Sequence, residues 1–190
     1  MTTLIAILAA GHSARLGQPK QLVQWHGTSL LQRAVDTASS VTSQVLLTLG
    51  ADADVLWRTL RMPPELQRID VPDHLDGLSA SMRAAVAYAE SDPAVDRLLV
   101  MLVDQYAVDV EWLRSLLAMA DAHPQRMVAS RYDGVRGVPA VFPRSAFAEL
   151  AALRGDQGAR ALLRDESDPI DWIAPHPPGD VDTPEQIPLR

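Results

Sequence analysis

Residues 2–20 read T-T-L-I-A-I-L-A-A-G-H-S-A-R-L-G-Q-P-K, and this stretch decides the fold. Its first part, residues 2–9, is an apolar run of strand length, and a loop with two glycines follows it directly. In an open α/β sheet, ligands bind just beyond the carboxyl ends of the strands. The position of the loop therefore predicts a ligand-binding site.

Strand and helix patterns alternate along the rest of the chain. Alternation of this kind predicts an α/β fold: a three-layer α/β/α, Rossmann-like architecture with a mostly parallel central sheet. No repeat or long linker interrupts the pattern, so we expect one domain over residues 1–190. Asp109 is expected to cap a helix, and Asp133-Gly134 to form a turn. The predicted strands cover residues 2–9, 45–49, 67–71, 98–103, 127–131, 138–142 and 170–173. The predicted helices cover residues 30–38, 52–61, 79–90, 145–153 and 159–163, and a further helix runs from the Asp109 cap through Ala120 and ends near His123-Pro124.

The composition narrows the class of protein. The absence of cysteine removes disulfides, thiolate catalysis and cysteine-ligated zinc, so a metal site would be built mainly from oxygen ligands. A formal net charge of -7 argues against a nucleic-acid-binding face, but leaves room for a local cationic cluster that binds a small anion. No apolar run is long enough to cross a membrane and the N-terminal residues lack a basic leader, so we expect a cytoplasmic protein.

The glycine loop has the chemistry of a phosphate-binding site. Gly11 and Gly17 allow close approach of the backbone to a phosphate, while Arg15 and Lys20 can offset the charge of a triphosphate. A Walker loop requires lysine directly after its second glycine, whereas residues 18–19 separate Gly17 from Lys20 here, and the dinucleotide fingerprint G-x-G-x-x-G is absent. The alternative is that both glycines only turn the chain and both cations are solvated.

The string L-A-A-G-H-S-A-R-L-G-Q-P-K-Q-L resembles the signature loop of the MobA-like nucleotidyltransferases, and within them that of the molybdenum cofactor cytidylyltransferases. Five later segments resemble family motifs in the family's order, so the likeness spans nearly the whole chain. These segments are P-D-H-L-D-G-L-S-A-S at 72–81, V-D-Q at 103–105, G-V-P-A-V-F at 137–142, G-D-Q-G-A-R at 155–160 and D-V-D-T-P-E at 180–185.

The resemblance assigns residues to the two substrates. Ala10 bears on the base, because guanylyl-transferring relatives tend to have a second glycine there and cytidylyl-transferring relatives an alanine; CTP is therefore favoured over GTP. For Ser79 the alternative is that it caps a helix. The implied nucleotide-binding residues are Ala9, Ala10, Gly11, Ser13, Arg15, Gly17, Lys20, Gly77, Ser79 and Ser81, and the acceptor side is implied to include Gly137 and Pro139.

Carboxylates after two predicted strands are candidate metal ligands. Asp104 and the pair Asp180/Asp182 suit Mg²⁺, because this hard cation prefers carboxylate oxygens. A parallel sheet can bring both groups to the same edge. Alternatively, Asp104 is an ordinary loop carboxylate, and residues 183–186 form a helix-capping box. The resemblance supports a metal role, but leaves open which of Asp180 and Asp182 is the direct ligand.

The reaction implied by the resemblance is transfer of CMP from CTP to molybdopterin that carries molybdenum, with release of pyrophosphate. Arg15, Lys20 and Asp104 would be the catalytic residues, acting by positioning and charge stabilisation. A molybdenum-enzyme chaperone or apo-enzyme is a candidate partner for the product. Three alternatives stay open: use of GTP, a sugar phosphate or similar acceptor, and a nucleotide-binding cofactor carrier without turnover.

One position departs from the family pattern. Many relatives read Asp-Gln-Pro or Asp-Met-Pro after the metal-binding strand, whereas this chain reads Asp104-Gln105-Tyr106. Proline would stiffen this loop, so Tyr106 leaves the shape of the loop open. We expect the four tryptophans to serve in ordinary packing rather than as pterin-stacking surfaces.

Overall fold

The computed structural model describes residues 1–11, 16–61, 63–155, 158–164 and 169–181. Within these residues the strands are β1 (Thr2–Ala9), β2 (Gln24–Trp25), β3 (Thr28–Ser29), β4 (Val45–Leu49), β5 (Gln67–Asp70), β6 (Val95–Leu102), β7 (Val128–Tyr132), β8 (Val135–Pro143) and β9 (Ile170–Ile173). All except β2 and β3 join one seven-stranded sheet in the order β5-β4-β1-β6-β8-β7-β9.

The sheet is mostly parallel, as the alternating pattern predicts. The pairs β5–β4, β4–β1, β1–β6 and β7–β9 are parallel. Strand β8 is antiparallel to both β6 and β7, so it runs against the other strands of this sheet. The carboxyl ends of β1, β4, β5 and β6 therefore meet the start of β8 at one edge.

Helices cover both faces of the sheet and give the three-layer α/β/α fold. They are α1 (Leu30–Ser39), α2 (Ala53–Thr59), α3 (Leu78–Ser91), α4 (Val110–Ala122), α5 (Phe147–Ala152) and α6 (Arg160–Leu163). One buried apolar cluster joins α1, α2 and α4 to the sheet, and a second joins α3, α5 and α6 to its other face. In the part of the chain that the structure describes, no helix is long and apolar enough to cross a membrane.

Local hydrogen bonds fix where the helices begin. The Asp109 carboxylate accepts a bond of 2.8 Å from the Trp112 amide, which confirms the predicted cap of α4. Helix α3 begins after Gly77, whose φ of 84° lies in the left-handed region that glycine tolerates. Ser79 lies inside α3, so the alternative that it caps this helix is wrong.

Two tight turns shape the loops around the carboxyl edge. Asp133 and Gly134 have φ values of 50° and 77° and join β7 to β8, which confirms the predicted turn. The hairpin of β2 and β3 was not predicted. His26 and Gly27 form its turn with φ values of 48° and 78°, a pair of left-handed residues that matches the twist of adjacent strands.

Candidate active site

A cavity of about 290 Å³ opens at the carboxyl ends of β1 and β4. Its walls come from the glycine loop, from the turn after β4, from α2 and from the loop after β5. This is the position in which α/β sheets bind their ligands, and the volume is close to the lower end of the range for small-molecule sites. The lining residues are Ala10, Gly11, Gly17, Gln18, Pro19, Gln21, Gly50, Ala51, Asp52, Leu56 and His74.

The described part of the glycine loop frames this cavity. Ala9 and Ala10 are buried at the end of β1, whereas Gly11 is exposed, as expected for a backbone that meets a ligand. Gly17 has a φ of 70° and faces solvent, so it can turn the chain where other residues would be strained. Ser13 and Arg15, predicted to bind nucleotide, lie outside the described residues, and their roles stay predictions.

Gln21 supports the loop from inside the protein and was not identified from the sequence. Its side chain is buried, and Nε2 donates to the carbonyl oxygens of Ala9 at 2.6 Å and Gly11 at 3.5 Å. In a trans peptide the N–H points opposite to the C=O, so anchoring the Ala9 carbonyl inward directs the Ala10 amide away from Gln21. The Gln21 Oε1 atom is buried without a donor among the described residues.

The close approach of three loops at the cavity requires glycine at position 50. A Cβ there would lie 2.6 Å from the Ala10 carbonyl oxygen and 3.1 Å from the His74 ring. His74 Nδ1 lies 3.2 Å from the Val71 carbonyl oxygen.

Lys20 and Asp104 form an ion pair at the same edge of the sheet. The distance from Lys20 Nζ to Asp104 Oδ2 is 2.5 Å, and the side chains are 16% and 9% exposed. Asp104 lies two residues beyond the end of β6, whereas the sequence predicted it directly after the strand. Because β1 and β6 are parallel neighbours, their carboxyl ends lie at the same edge of the sheet. A charge-assisted bond in this partly dehydrated place is stronger than one in water.

The second oxygen of Asp104 has no donor among the described residues, although it is buried. A buried acceptor without a partner is costly, and a cation would satisfy it. The residue type and the unmatched oxygen therefore fit a hard divalent metal. Among the described residues, no three histidine or carboxylate side chains are grouped for metal binding, and Asp182 lies outside them.

The segment that carries Asp180 lies against the loop that carries Asp104. The Ala107 amide donates to the Pro178 carbonyl oxygen at 2.8 Å, and Val181 is fully buried. Asp180 also acts electrostatically on Tyr132. Burial raises the pKa of Tyr132 above its usual range, and the negative charge of Asp180 raises this pKa further. The structure thus joins the two chain segments predicted to hold the metal.

Ser79 and Ser81 occupy buried positions in α3. The Ser79 hydroxyl accepts a bond of 3.0 Å from Arg83, and its amide donates to the Gly155 carbonyl oxygen at 3.2 Å. These bonds support the turn at Gly77, which is half-buried. The predicted contacts of these residues with base or ribose stay predictions. Residues 156–157 of the G-D-Q-G-A-R segment and the proposed capping box at 183–186 lie outside the described residues.

Gly137 and Pro139, predicted for the acceptor side, lie in β8 next to β6. Gln105 bridges these strands, because its Nε2 donates to the Val138 carbonyl oxygen at 2.6 Å and its Oε1 accepts from the Leu102 amide at 3.0 Å. A Cβ at Gly137 would overlap the Tyr132 hydroxyl. The carbonyl oxygen of Pro139 accepts from Ser130, which in turn accepts from the indole N–H of Trp112.

Burial and packing indicate the role of two of the four tryptophans. Trp112 is 2% exposed and Trp25 packs beside a small buried cluster, so both serve in packing, as expected. The ring of Trp172 lies 5.2 Å from that of Trp112, and Trp57 packs against the core on the α2 side.

A glycine loop, a cavity at the strand ends and a Lys20–Asp104 pair together define a nucleotide-binding α/β protein. The sequence matches the model of the MobA-like NTP transferase domain over residues 5–170. The chain belongs to the MobA-like NTP transferase family and is a nucleotidyltransferase.

Named relatives fall into more than one group. The purine catabolism protein PucB of Bacillus subtilis is 32% identical over 164 residues, which is 83% of this chain and 78% of that protein. The molybdenum cofactor cytidylyltransferase of Escherichia coli is 29% identical over 86 residues, 45% of each chain. A Bacillus anthracis protein named "Probable molybdenum cofactor guanylyltransferase" is 28% identical over 163 residues, 84% of this chain and 73% of that protein.

Solved structures give the same fold. The manganese complex of Rv0371C from Mycobacterium tuberculosis H37Rv has a TM-score of 0.78 and 29% identity to this chain. The match covers 98% of this chain and 96% of that chain. The fold described above is therefore shared with Rv0371C, and that protein was solved as a manganese complex.

Proposed function

We propose that this protein transfers CMP from CTP to a molybdopterin-type acceptor in a Mg²⁺-dependent reaction. A phosphate oxygen of the acceptor attacks the α-phosphorus of CTP, the bond from that phosphorus to the β-phosphate bridging oxygen breaks, and pyrophosphate leaves. The products are molybdopterin cytosine dinucleotide and pyrophosphate. The observation that carries the proposal is the Lys20–Asp104 pair beside the cavity, with one buried Asp104 oxygen free of any donor in the described residues.

The residues at the carboxyl edge of the sheet have distinct roles in this reaction. Lys20 and Arg15 would hold the phosphates of the nucleotide, and backbone amides of the glycine loop would add hydrogen bonds. Asp104, with Asp180 or Asp182, would hold the magnesium ion, which supplies positive charge to the phosphate oxygens. An ionised acceptor phosphate needs no general base, so these residues act by positioning and by electrostatic stabilisation.

The choice of CTP rests on Ala10, because cytidylyl-transferring relatives tend to have alanine at this position. Ala10 is 4% exposed, and its carbonyl oxygen faces position 50, where only glycine fits. GTP is the second candidate, since several relatives are named for guanylyl transfer. The proposal also includes a cytoplasmic location, small-molecule substrates and delivery of the product to a molybdenum enzyme or its chaperone.

A panel of substrates tests this proposal. Purified protein is incubated with Mg²⁺, each of four nucleoside triphosphates, and either molybdenum cofactor or a sugar phosphate; released pyrophosphate is then measured. We expect release with CTP and molybdenum cofactor. Release with GTP would move the assignment to guanylyl transfer, release with the sugar phosphate would change the acceptor, and nucleotide binding without release would favour a carrier.

Variants connect the activity to the site. Lys20→Ala should abolish pyrophosphate release, because the ion pair and the phosphate contact are both lost. Asp54→Asn is a matched control, since the Asp54 side chain is 76% exposed and its ionic partner is Arg68. Full activity in Lys20→Ala would contradict the assigned site.

A further inference from the structure

Tyr106 lies in the loop after β6, at the position where many relatives have proline. Its amide donates to the Asp104 carbonyl oxygen at 2.9 Å, and its own carbonyl oxygen accepts a bond of 2.7 Å from Arg33 Nε. Proline has no N–H and could not make the first of these bonds. The loop is therefore held by hydrogen bonds rather than by a proline ring.

The side chain of Tyr106 contacts the segment that carries Asp180. A Cβ at Gly179 would lie 2.5 Å from the Tyr106 ring, so the ring lies directly against the backbone of Gly179. On another side, the centroid of the ring is 4.8 Å from that of Trp25. Tyr106 is thus enclosed between the hairpin of β2 and β3 and the chain after β9.

A small buried cluster extends this contact to the end of the glycine loop. Its buried members are Leu16, Val23, Leu30 and Val181, and Trp25 and Tyr106 pack against it. Leu16 belongs to the glycine loop and Val181 directly follows Asp180, so one cluster connects the nucleotide side and the metal side.

We propose that Tyr106 is a positioning residue for the metal site: its ring holds residues 178–181 against the Asp104 loop and so sets the place of Asp180. The proposal rests on the proposed function, because it takes Asp104 and Asp180 as ligands of the divalent ion. Ligands from two distant segments bind a metal more tightly when their geometry is fixed before binding, because less ordering is then required. Groups that orient metal ligands commonly change metal affinity by about 10- to 100-fold when they are removed.

The geometry attributes this role to the ring rather than to the hydroxyl. The contacts to Gly179 and Trp25 are made by ring atoms, and the backbone of residue 106 makes the two hydrogen bonds. Tyr106→Phe should therefore preserve the site. Tyr106→Ala removes the ring, and Tyr106→Pro also removes the amide donor, although it restores the residue that is usual in relatives.

Mn²⁺ binding to the full chain tests the proposal without turnover. Free Mn²⁺ is measured by electron paramagnetic resonance during titration of wild type and variants, and the melting temperature of each is recorded. We expect the Mn²⁺ Kd of Tyr106→Ala and Tyr106→Pro to rise about 10- to 100-fold, and that of Tyr106→Phe to stay within about twofold of wild type. Tyr88→Ala is the control, because Tyr88 packs against the cluster on the other face of the sheet.

The outcomes separate this inference from the proposed function. A melting temperature lowered in both alanine variants, with Mn²⁺ affinity lost only in Tyr106→Ala, supports positioning. Equal Mn²⁺ affinity in Tyr106→Ala and wild type, or an equal loss of Mn²⁺ affinity in Tyr88→Ala, would overturn the positioning role. Neither result would change the transferase assignment, which the pyrophosphate assay tests separately. Absence of Mn²⁺ binding by wild type would overturn the metal site and this inference together.

Discussion

Replacement of Gln21 by leucine should weaken nucleotide binding without much loss of stability. The change removes the bonds that Nε2 donates to the carbonyl oxygens of Ala9 and Gly11. The leucine side chain then fills the buried position with apolar atoms. A buried carbonyl that loses its donor costs about 1–3 kcal/mol. The same change removes Oε1, which is itself buried without a donor among the described residues, so we expect these contributions to offset each other within about 1 kcal/mol.

The functional cost has a different origin. Without Gln21, the nucleotide must order the loop itself, and fixing the backbone of one or two residues costs about 1–3 kcal/mol. Since about 1.4 kcal/mol corresponds to a factor of ten, we expect KM for CTP to rise roughly 10- to 100-fold.

Steady-state pyrophosphate release and urea unfolding measure the two effects separately. Gln24→Leu is the matched control, because Gln24 is exposed and its side chain donates to the nearby Leu22 carbonyl oxygen at 3.2 Å. An unchanged KM in Gln21→Leu, or an equal rise in Gln24→Leu, would refute the reasoning.

Three further predictions follow from contacts around the site and the sheet edge. Gly50→Ala should lower the free energy of unfolding by about 1–3 kcal/mol in urea, because its Cβ would lie 2.6 Å from the Ala10 carbonyl oxygen. Lys20→Met should weaken Mg²⁺-free CTP binding in calorimetry, because a cation at the phosphates is lost; equal affinity would contradict this role. Burial would raise the pKa of Asp171, but hydrogen bonds from two arginines lower it overall. Its stabilisation is therefore present above about pH 4 and lost as pH falls further, so Asp171→Asn should lower stability at pH 7 more than at pH 3.

Much of the fold could be predicted because buried strands have a local signature. β1 and β4 have the predicted bounds, since each is an apolar run buried along its length. β6 begins at Val95, three residues before the predicted strand. Its first residues include two charged side chains that find partners far away in sequence: Asp96 accepts from the Thr2 amide, and Arg97 donates to the Thr3 hydroxyl. Periodicity does not reveal such tertiary partners.

The candidate site was partly predictable, because parts of it follow buried strands that have a local sequence signature. Asp104 could be singled out because it follows a buried strand, and Lys20 because it is a cation of the glycine loop; the structure pairs them. Gln21 was missed because its role depends on carbonyl groups that only the folded loop brings within reach. The position of Ser79 inside α3 depends on the left-handed turn at Gly77, which the sequence pattern does not locate.

The most direct test of nucleotidyl transfer at this site compares wild type with Asp104→Asn, which keeps the size of the side chain and removes its charge. Each protein is incubated with CTP, Mg²⁺ and molybdenum cofactor, and the products are followed by ³¹P NMR. We expect wild type to give inorganic pyrophosphate together with a new phosphorus–oxygen–phosphorus linkage to the acceptor, and Asp104→Asn to give neither. Equal yields of both products from the two proteins would contradict the assigned metal site and the chemistry built on it.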